Sequence, residues 1–176
     1  MRIFILFFLL FLIQSASAQL DIRAPDTLVK ISGKTYSLDY PKSWTIDTSK
    51  MFGMDMFLRS PSTDSLDDFL ENMNVFVQDL HGRNYNLTRM GQESEVQIKN
   101  MVIDVEIIES KIDSTTSQPF YLLKYRGRQG KFLLTIIQRY YLKNEIGYAL
   151  TFTIKSGKEA DYIPISEKMF SSFNLK

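Results

Sequence analysis

A chain of 176 residues with no cysteine, in which 21 lysines and arginines offset 20 aspartates and glutamates, excludes disulfide bracing and thiol redox chemistry. A formal net charge of +1 also gives no global pull toward nucleic acid or anionic membrane, so partners must be recognised locally. With a single histidine, a histidine-centred metal site or relay has no second member, and no cofactor is implied.

The chain opens with Arg2, an apolar run from Ile3 to Ile13, and the small residues Ala16, Ser17 and Ala18. That order is a secretory signal peptide, with cleavage expected before Gln19. The run falls short of the ~20 apolar residues that a membrane-spanning helix needs, and without cysteine no lipid can be attached at the cleavage point. Removing residues 1–18 leaves a chain of the commonest single-domain size. Residues 19–32 read as an exposed lead-in, broken by Pro25 and ending in a strand over Thr27 to Ile31.

Tyr36, Leu38 and Tyr40 alternate with polar residues, which predicts a strand that Pro41 ends because it has no N–H to donate. Met56 to Ser60 and Asn74 to Leu80 predict two more strands, joined by the acidic loop from Pro61 to Glu71. The period then changes: Leu87, Met90, Ser94, Ile98 and Met101 line one face of a helix that Asn86 or Thr88 could cap. Ile103, Val105 and Ile107 alternate with Asp104 and Glu106, predicting a strand with one apolar face.

Tyr121, Leu123 and Tyr125 predict the next strand, with a turn expected over Gly127 to Gly130. In the strand after it both faces are apolar, Phe132, Leu134, Ile136 and Tyr140 on one side and Leu133, Ile137 and Tyr141 on the other, so it must be covered on both. Asn144 and Glu145 mark a tight turn. Beyond it Ile146, Tyr148, Leu150, Phe152 and Ile154 face one way, and the small residues Gly147, Ala149, Thr151 and Thr153 face the other. The small face leaves room for a close neighbour, for which the candidate is the last helix, with Tyr162, Ile165, Met169 and Phe173 on its apolar stripe. Pro164 fits that helix near its first turn or at a kink. The expected fold is α+β: an α/β/α sandwich whose central, mainly antiparallel sheet of about seven strands is flanked by helices, forming one domain over residues 33–176.

The strand and proline from Tyr36 to Trp44, the asparagine-rich strand from Glu71 to Val77, the helix after Asn86, the paired strands from Phe120 to Ile154 and the terminal Met169 to Phe173 occur in one order. In that order the chain resembles the PsbP-like family, named for an extrinsic protein of photosystem II and including small exported bacterial proteins. The same fold is seen in a Ran-binding release factor of nuclear import. The resemblance covers nearly all of the mature chain and implies a central antiparallel sheet flanked by helices. It implies little about activity, since members bind unrelated partners and fold does not fix function. The lumenal targeting context of the photosystem protein is absent here, so no photosynthetic role is carried over.

Catalytic chemistry finds little footing. No Gly-x-Ser-x-Gly elbow precedes a helix, and His81 reads as an exposed loop residue. Asp64, Asp67, Asp68 and Glu71 could offer hard oxygens to calcium, but their spacing departs from the usual calcium-loop pattern and suits a solvated loop better. Asp104, Glu106 and Glu109 could form a carboxylate pair for hydrolysis, or simply the wet face of a strand. Lys124, Arg126, Arg128 and Lys131 cluster around one hairpin, with Arg139 further along; such a group can grip carboxylate or phosphate, although hairpins also carry charge for solubility. Trp44 could line a ligand groove or pack under the sheet. The reading that fits best is an exported, non-enzymatic binding or accessory module for a protein or cell-envelope partner, without nucleic acid and without a transmembrane segment once the leader is removed. A carboxylate-dependent hydrolase and a small-ligand carrier are the alternatives.

Overall fold

The structure is a computed structural model that describes residues 27–176; the signal peptide expected over residues 1–18 lies outside the described residues. Its strands are β1 (Leu28–Ser32), β2 (Tyr36–Pro41), β3 (Thr45–Asp47), β4 (Met56–Arg59), β5 (Asn72–Asp79), β6 (Ile103–Asp113), β7 (Phe120–Gln129), β8 (Phe132–Lys143), β9 (Ile146–Lys155) and β10 (Asn174–Leu175). Its helices are α1 (Leu87–Met101) and α2 (Glu159–Ser172). Seven strands form one antiparallel sheet in the order β3-β4-β5-β9-β8-β7-β6, and β1-β2-β10 form a second, smaller sheet. The larger sheet and its two helices are the predicted sandwich. The small sheet is an addition: the last strand is too short to announce itself by pattern, and it joins β2 only after α2 has returned the chain there.

α1 starts where the sequence places it. Asn86 accepts a hydrogen bond from the Arg89 amide at 2.8 Å, satisfying one of the unpaired donors of the first turn. The helix lies over β6, β7 and β8, burying Met90, Gly91, Ser94 and Ile98. On the opposite face α2 packs over β9 and β2, burying Tyr162, Ser166, Met169 and Phe170. Pro164 sits inside α2, beyond its first turn, where it cannot supply the helical amide that the Ala160 carbonyl would otherwise accept from. The sheet thus separates two cores. One holds Trp44, Phe152, Tyr148, Met169 and Phe170, the other Met90, Ile98, Tyr125, Leu134 and Tyr140.

Several local expectations give way. α2 covers the large-residue face of β9, not the small one. On the small face Ala149 lies in register between Phe76 of β5 and Tyr140 of β8, so the room is filled by rings from the flanking strands. The β7–β8 turn is Gly130 and Lys131 alone, with Gln129 paired to Phe132. Gly127 lies within β7, where a Cβ would stand 2.2 Å from Cγ1 of Val102. In β6, bulges between Ile103 and Glu106 and between Ile107 and Glu109 shift the register. Ile103 consequently pairs with Arg128, on the face opposite Val105 and Ile107, and is 65% exposed. Met101, at the end of the predicted helical stripe, is also exposed.

Candidate functional site

Strand alternation turns Tyr121, Leu123 and Tyr125 of β7 toward α1 and leaves Lys124, Arg126 and Arg128 on the other face. α2 runs over β9 and β2 and reaches β8 through Glu159, Glu167 and Phe170, so only the corner of this face around Arg126, Arg128, Ile103 and Leu133 stays exposed. Across the strands Lys124 pairs with Glu109 and Ile137, Arg126 with Glu106 and Thr135, and Arg128 with Ile103 and Leu133. The side chains of Arg126 and Arg128 are 47% and 46% exposed. Leu133, expected to be covered, is 40% exposed. The face is therefore mixed, with basic β7 flanked by acids from β6 and by two exposed apolar residues.

The cations are largely matched. Arg128 Nε donates to Asp104 at 3.1 Å; Asp104 stands at φ +53° in the first bulge. Arg126 lies 3.9 Å from Glu159, whose carboxylate also accepts from the Thr135 hydroxyl at 2.7 Å. Burial alone would raise the Glu159 carboxyl, but the bonds from Thr135 and backbone amides hold it below its ordinary value. Arg139 stands apart from the hairpin group. Its guanidinium is stacked between Phe120 and Phe170, 4.5 and 4.6 Å from their ring centres, is paired with Glu167 and is 11% exposed.

Lys131 turns to the end of the sheet, where the two charge clusters seen in the sequence meet. Its ammonium donates to Asp68 at 2.8 Å, and Lys155 donates to the other oxygen of the same carboxylate at 2.6 Å. These two hydrogen bonds hold Asp68 down to about 2. Asp67 accepts from Lys158 at 2.8 Å and from the amide and hydroxyl of Thr63, both at 3.0 Å. Burial pushes Asp67 up, and those bonds outweigh it. Glu71 is fully buried; one oxygen faces the Lys155 amide at 3.4 Å and the other has no hydrogen-bond partner. Burial raises its carboxyl. No group of three or more metal-ligating side chains occurs among the described residues.

Trp44 is 4% exposed, with its ring 5.7 Å from that of Phe152. His81 is exposed and bonded through Nδ1 to Asp79 at 2.6 Å, which raises its pKa. Glu109 pairs with Lys111 at 2.6 Å. Sequence reasoning missed an internal polar chain: the Tyr140 hydroxyl donates to Gln138 at 2.7 Å, and Gln138 donates to Thr151 at 3.1 Å. A glutamine between the apolar residues Ile136 and Tyr140 on one face of β8 was its visible sign. The Tyr125 and Tyr140 phenols are pushed up by burial.

No protein-family model and no curated protein matches the sequence. Solved structures do. Cyanobacterial PsbP from Synechocystis superposes with a TM-score of 0.65 at 16% identity, over 90% of this chain and 98% of that one. The chain has the PsbP-like fold. The same PsbP-like arrangement aligns with LpqN, described as involved in cell envelope biogenesis of Mycobacterium tuberculosis, with a TM-score of 0.58 at 9% identity over 87% of this chain and 86% of that one. A protein of unknown function from Pseudomonas aeruginosa also aligns, with a TM-score of 0.58 at 10% identity over 82% of this chain and 94% of that one. At these identities the likeness concerns the fold alone. No described helix is long and apolar enough to cross a membrane.

Proposed function

We propose that this chain is an exported, non-enzymatic accessory module that docks a cell-envelope protein through the exposed corner where the start of β6, the end of β7 and the start of β8 meet. The observation that carries this reading is a corner of the sheet beyond α2, where half-exposed Arg126 and Arg128 stand beside exposed Ile103 and Leu133. Arginine next to apolar side chains is a composition enriched at protein interfaces. A leader over residues 1–18 would deliver the remaining residues as one PsbP-like domain, and the involvement of LpqN in cell envelope biogenesis fits that compartment. Hydrolysis is less well supported, because Asp104 is bonded to Arg128 and Glu109 to Lys111.

The test places a photo-crosslinking amino acid at Leu133 in the full chain, expressed with its leader in the native host. One discrete crosslinked partner is expected, lost when Arg126→Ser and Arg128→Ser are added to a variant that still unfolds cooperatively. The same probe at Val96, exposed on α1, serves as control. Equal crosslinking from both positions, or none from Leu133, would refute the docking face. N-terminal sequencing of the extracytoplasmic product should begin at Gln19.

A further inference from the structure

The loop between β4 and β5 contains no helix or strand over residues 61–71, yet it is strapped down. The Ser60 amide donates to the Glu71 carbonyl at 2.8 Å and closes its base. Inside that closure Asp67 holds Lys158, Asp68 holds both Lys131 and Lys155, and Phe69 packs on Phe132 with ring centres 5.1 Å apart. Leu66 stands out into solvent. A compact surface loop closed at its base and fixed by its own side chains is a form often tied to function.

The two lysines around Asp68 are arranged as a receptor for a carboxylate. Each ammonium takes one oxygen, and both ammoniums lie near the Phe132 ring, at 4.9 and 5.7 Å from its centre. That ring therefore helps to hold them in place whether or not Asp68 is present. The carboxylate is not sealed off, since the Asp68 side chain is 40% exposed. We infer that Lys131 and Lys155 form a binding site for an acidic polypeptide segment, and that Asp68 of the chain's own strap occupies it as an intramolecular competitor. Exchange replaces one carboxylate by another, so the charges stay matched. The incoming segment competes against a tethered group, whose effective concentration is high. The strap thereby sets a threshold, and only a segment with several carboxylates in reach of Lys131 and Lys155 would displace it.

This inference stands apart from the exposed corner, with which it shares only the neighbourhood of Lys131. The test titrates the processed chain with a hexaglutamate peptide and follows backbone amide shifts at Lys131 and Lys155. Asp68→Asn should bind the peptide at least tenfold more tightly than the unaltered chain, and more weakly as salt is raised. Lys131→Ala with Lys155→Ala, placed in the Asp68→Asn background, should abolish the gain while thermal unfolding shows the fold retained. Parallel titrations use inorganic phosphate and anionic phosphatidylglycerol vesicles. Equal affinity of Asp68→Asn and the unaltered chain, or no peptide binding by either, overturns the inference. So does binding of phosphate or vesicles as tight as that of the peptide. Loss of peptide binding in Arg126→Ser with Arg128→Ser would place the peptide at the exposed corner and overturn it too. A failed crosslink at Leu133 leaves this test unaffected.

Discussion

Gly91 shows how tightly α1 is pressed onto the sheet. A Cβ at this position would lie 2.2 Å from Cδ1 of Tyr121, and 2.3 Å from both Cε1 and Cγ, where unstrained carbons rest about 3.5–4.0 Å apart. The ring cannot swing clear, because Cγ is close to its root and its hydroxyl is bonded to Ser110 at 2.7 Å. Ser110 in turn donates to Glu95, which Lys99 holds at 2.6 Å. Gly91→Ala should therefore force the helix off the sheet. Overpacking of this kind costs about 1–3 kcal/mol, and an overlap exceeding ~1 Å with three ring atoms belongs at the upper end. Alanine returns about 1 kcal/mol of helix propensity, leaving a net loss of about 2 kcal/mol and a drop in Tm of about 4–8 °C. Urea unfolding of the single variants and the double variant with Tyr121→Ala forms the assay. Without the ring, Gly91→Ala should become stabilising by about 1 kcal/mol, a coupling of about 3 kcal/mol. If Gly91→Ala is as stable as the unaltered protein, or its cost is unchanged beside Tyr121→Ala, the close approach of α1 to β7 is wrong.

Gln138→Leu should cost about 1–3 kcal/mol in urea unfolding, because it removes the acceptor of the buried Tyr140 hydroxyl and the donor to Thr151. Arg139→Met should cost about 1–2 kcal/mol through loss of the stack between Phe120 and Phe170, measured the same way. Asp67 and Glu71 should move stability in opposite directions with pH. Asp67, lowered in the folded protein despite its burial, contributes stability that is present above its unfolded value of about 3.9 and is lost as pH falls through the folded one. Glu71, raised by burial, has the reverse sign, since folding favours its proton. Glu71→Gln should therefore raise Tm at neutral pH, and the gain should shrink as pH falls toward about 4. A gain that is constant across that range would contradict the raised carboxyl.

Where spacing and burial coincide, the sequence was transparent. The stripe around Ser94 and the two faces of β8 from Leu134 to Tyr141 express a local period that one core or the other rewards, and the Asn86 cap follows from its own side chain. Legibility failed where the cause was a neighbour far along the chain. The small residues of β9 answer to Phe76 and Tyr140 on the adjoining strands, which no inspection of β9 alone reveals. The exposure of Ile103 comes from bulges that leave no apolar signature. The acidic loop and the basic hairpin were both visible as clusters, but Lys131 and Lys155 reach Asp68 across 63 and 87 residues of sequence. Only pairing of β8 with β9 brings those lysines together.

The unequal cover of the two faces bears directly on how a partner would be held. α1 spans the strands at one end of the sheet, while α2 lies over β9 and the small sheet and reaches β8, so the surface left bare is the corner that holds Arg126, Arg128, Ile103 and Leu133. On it, β6 places acids beside the cations of β7, and a partner gains little net Coulomb attraction by approaching. What it gains is the removal of Ile103 and Leu133 from water, worth about 25 cal/mol per Å² of apolar surface. The charged rows fix its register by requiring each existing ion pair to be kept or exchanged. Docking there should therefore weaken only modestly as salt is raised, whereas peptide capture at the lysine corner should weaken steeply. That contrast in salt response tells the two surfaces apart even while both partners are unidentified.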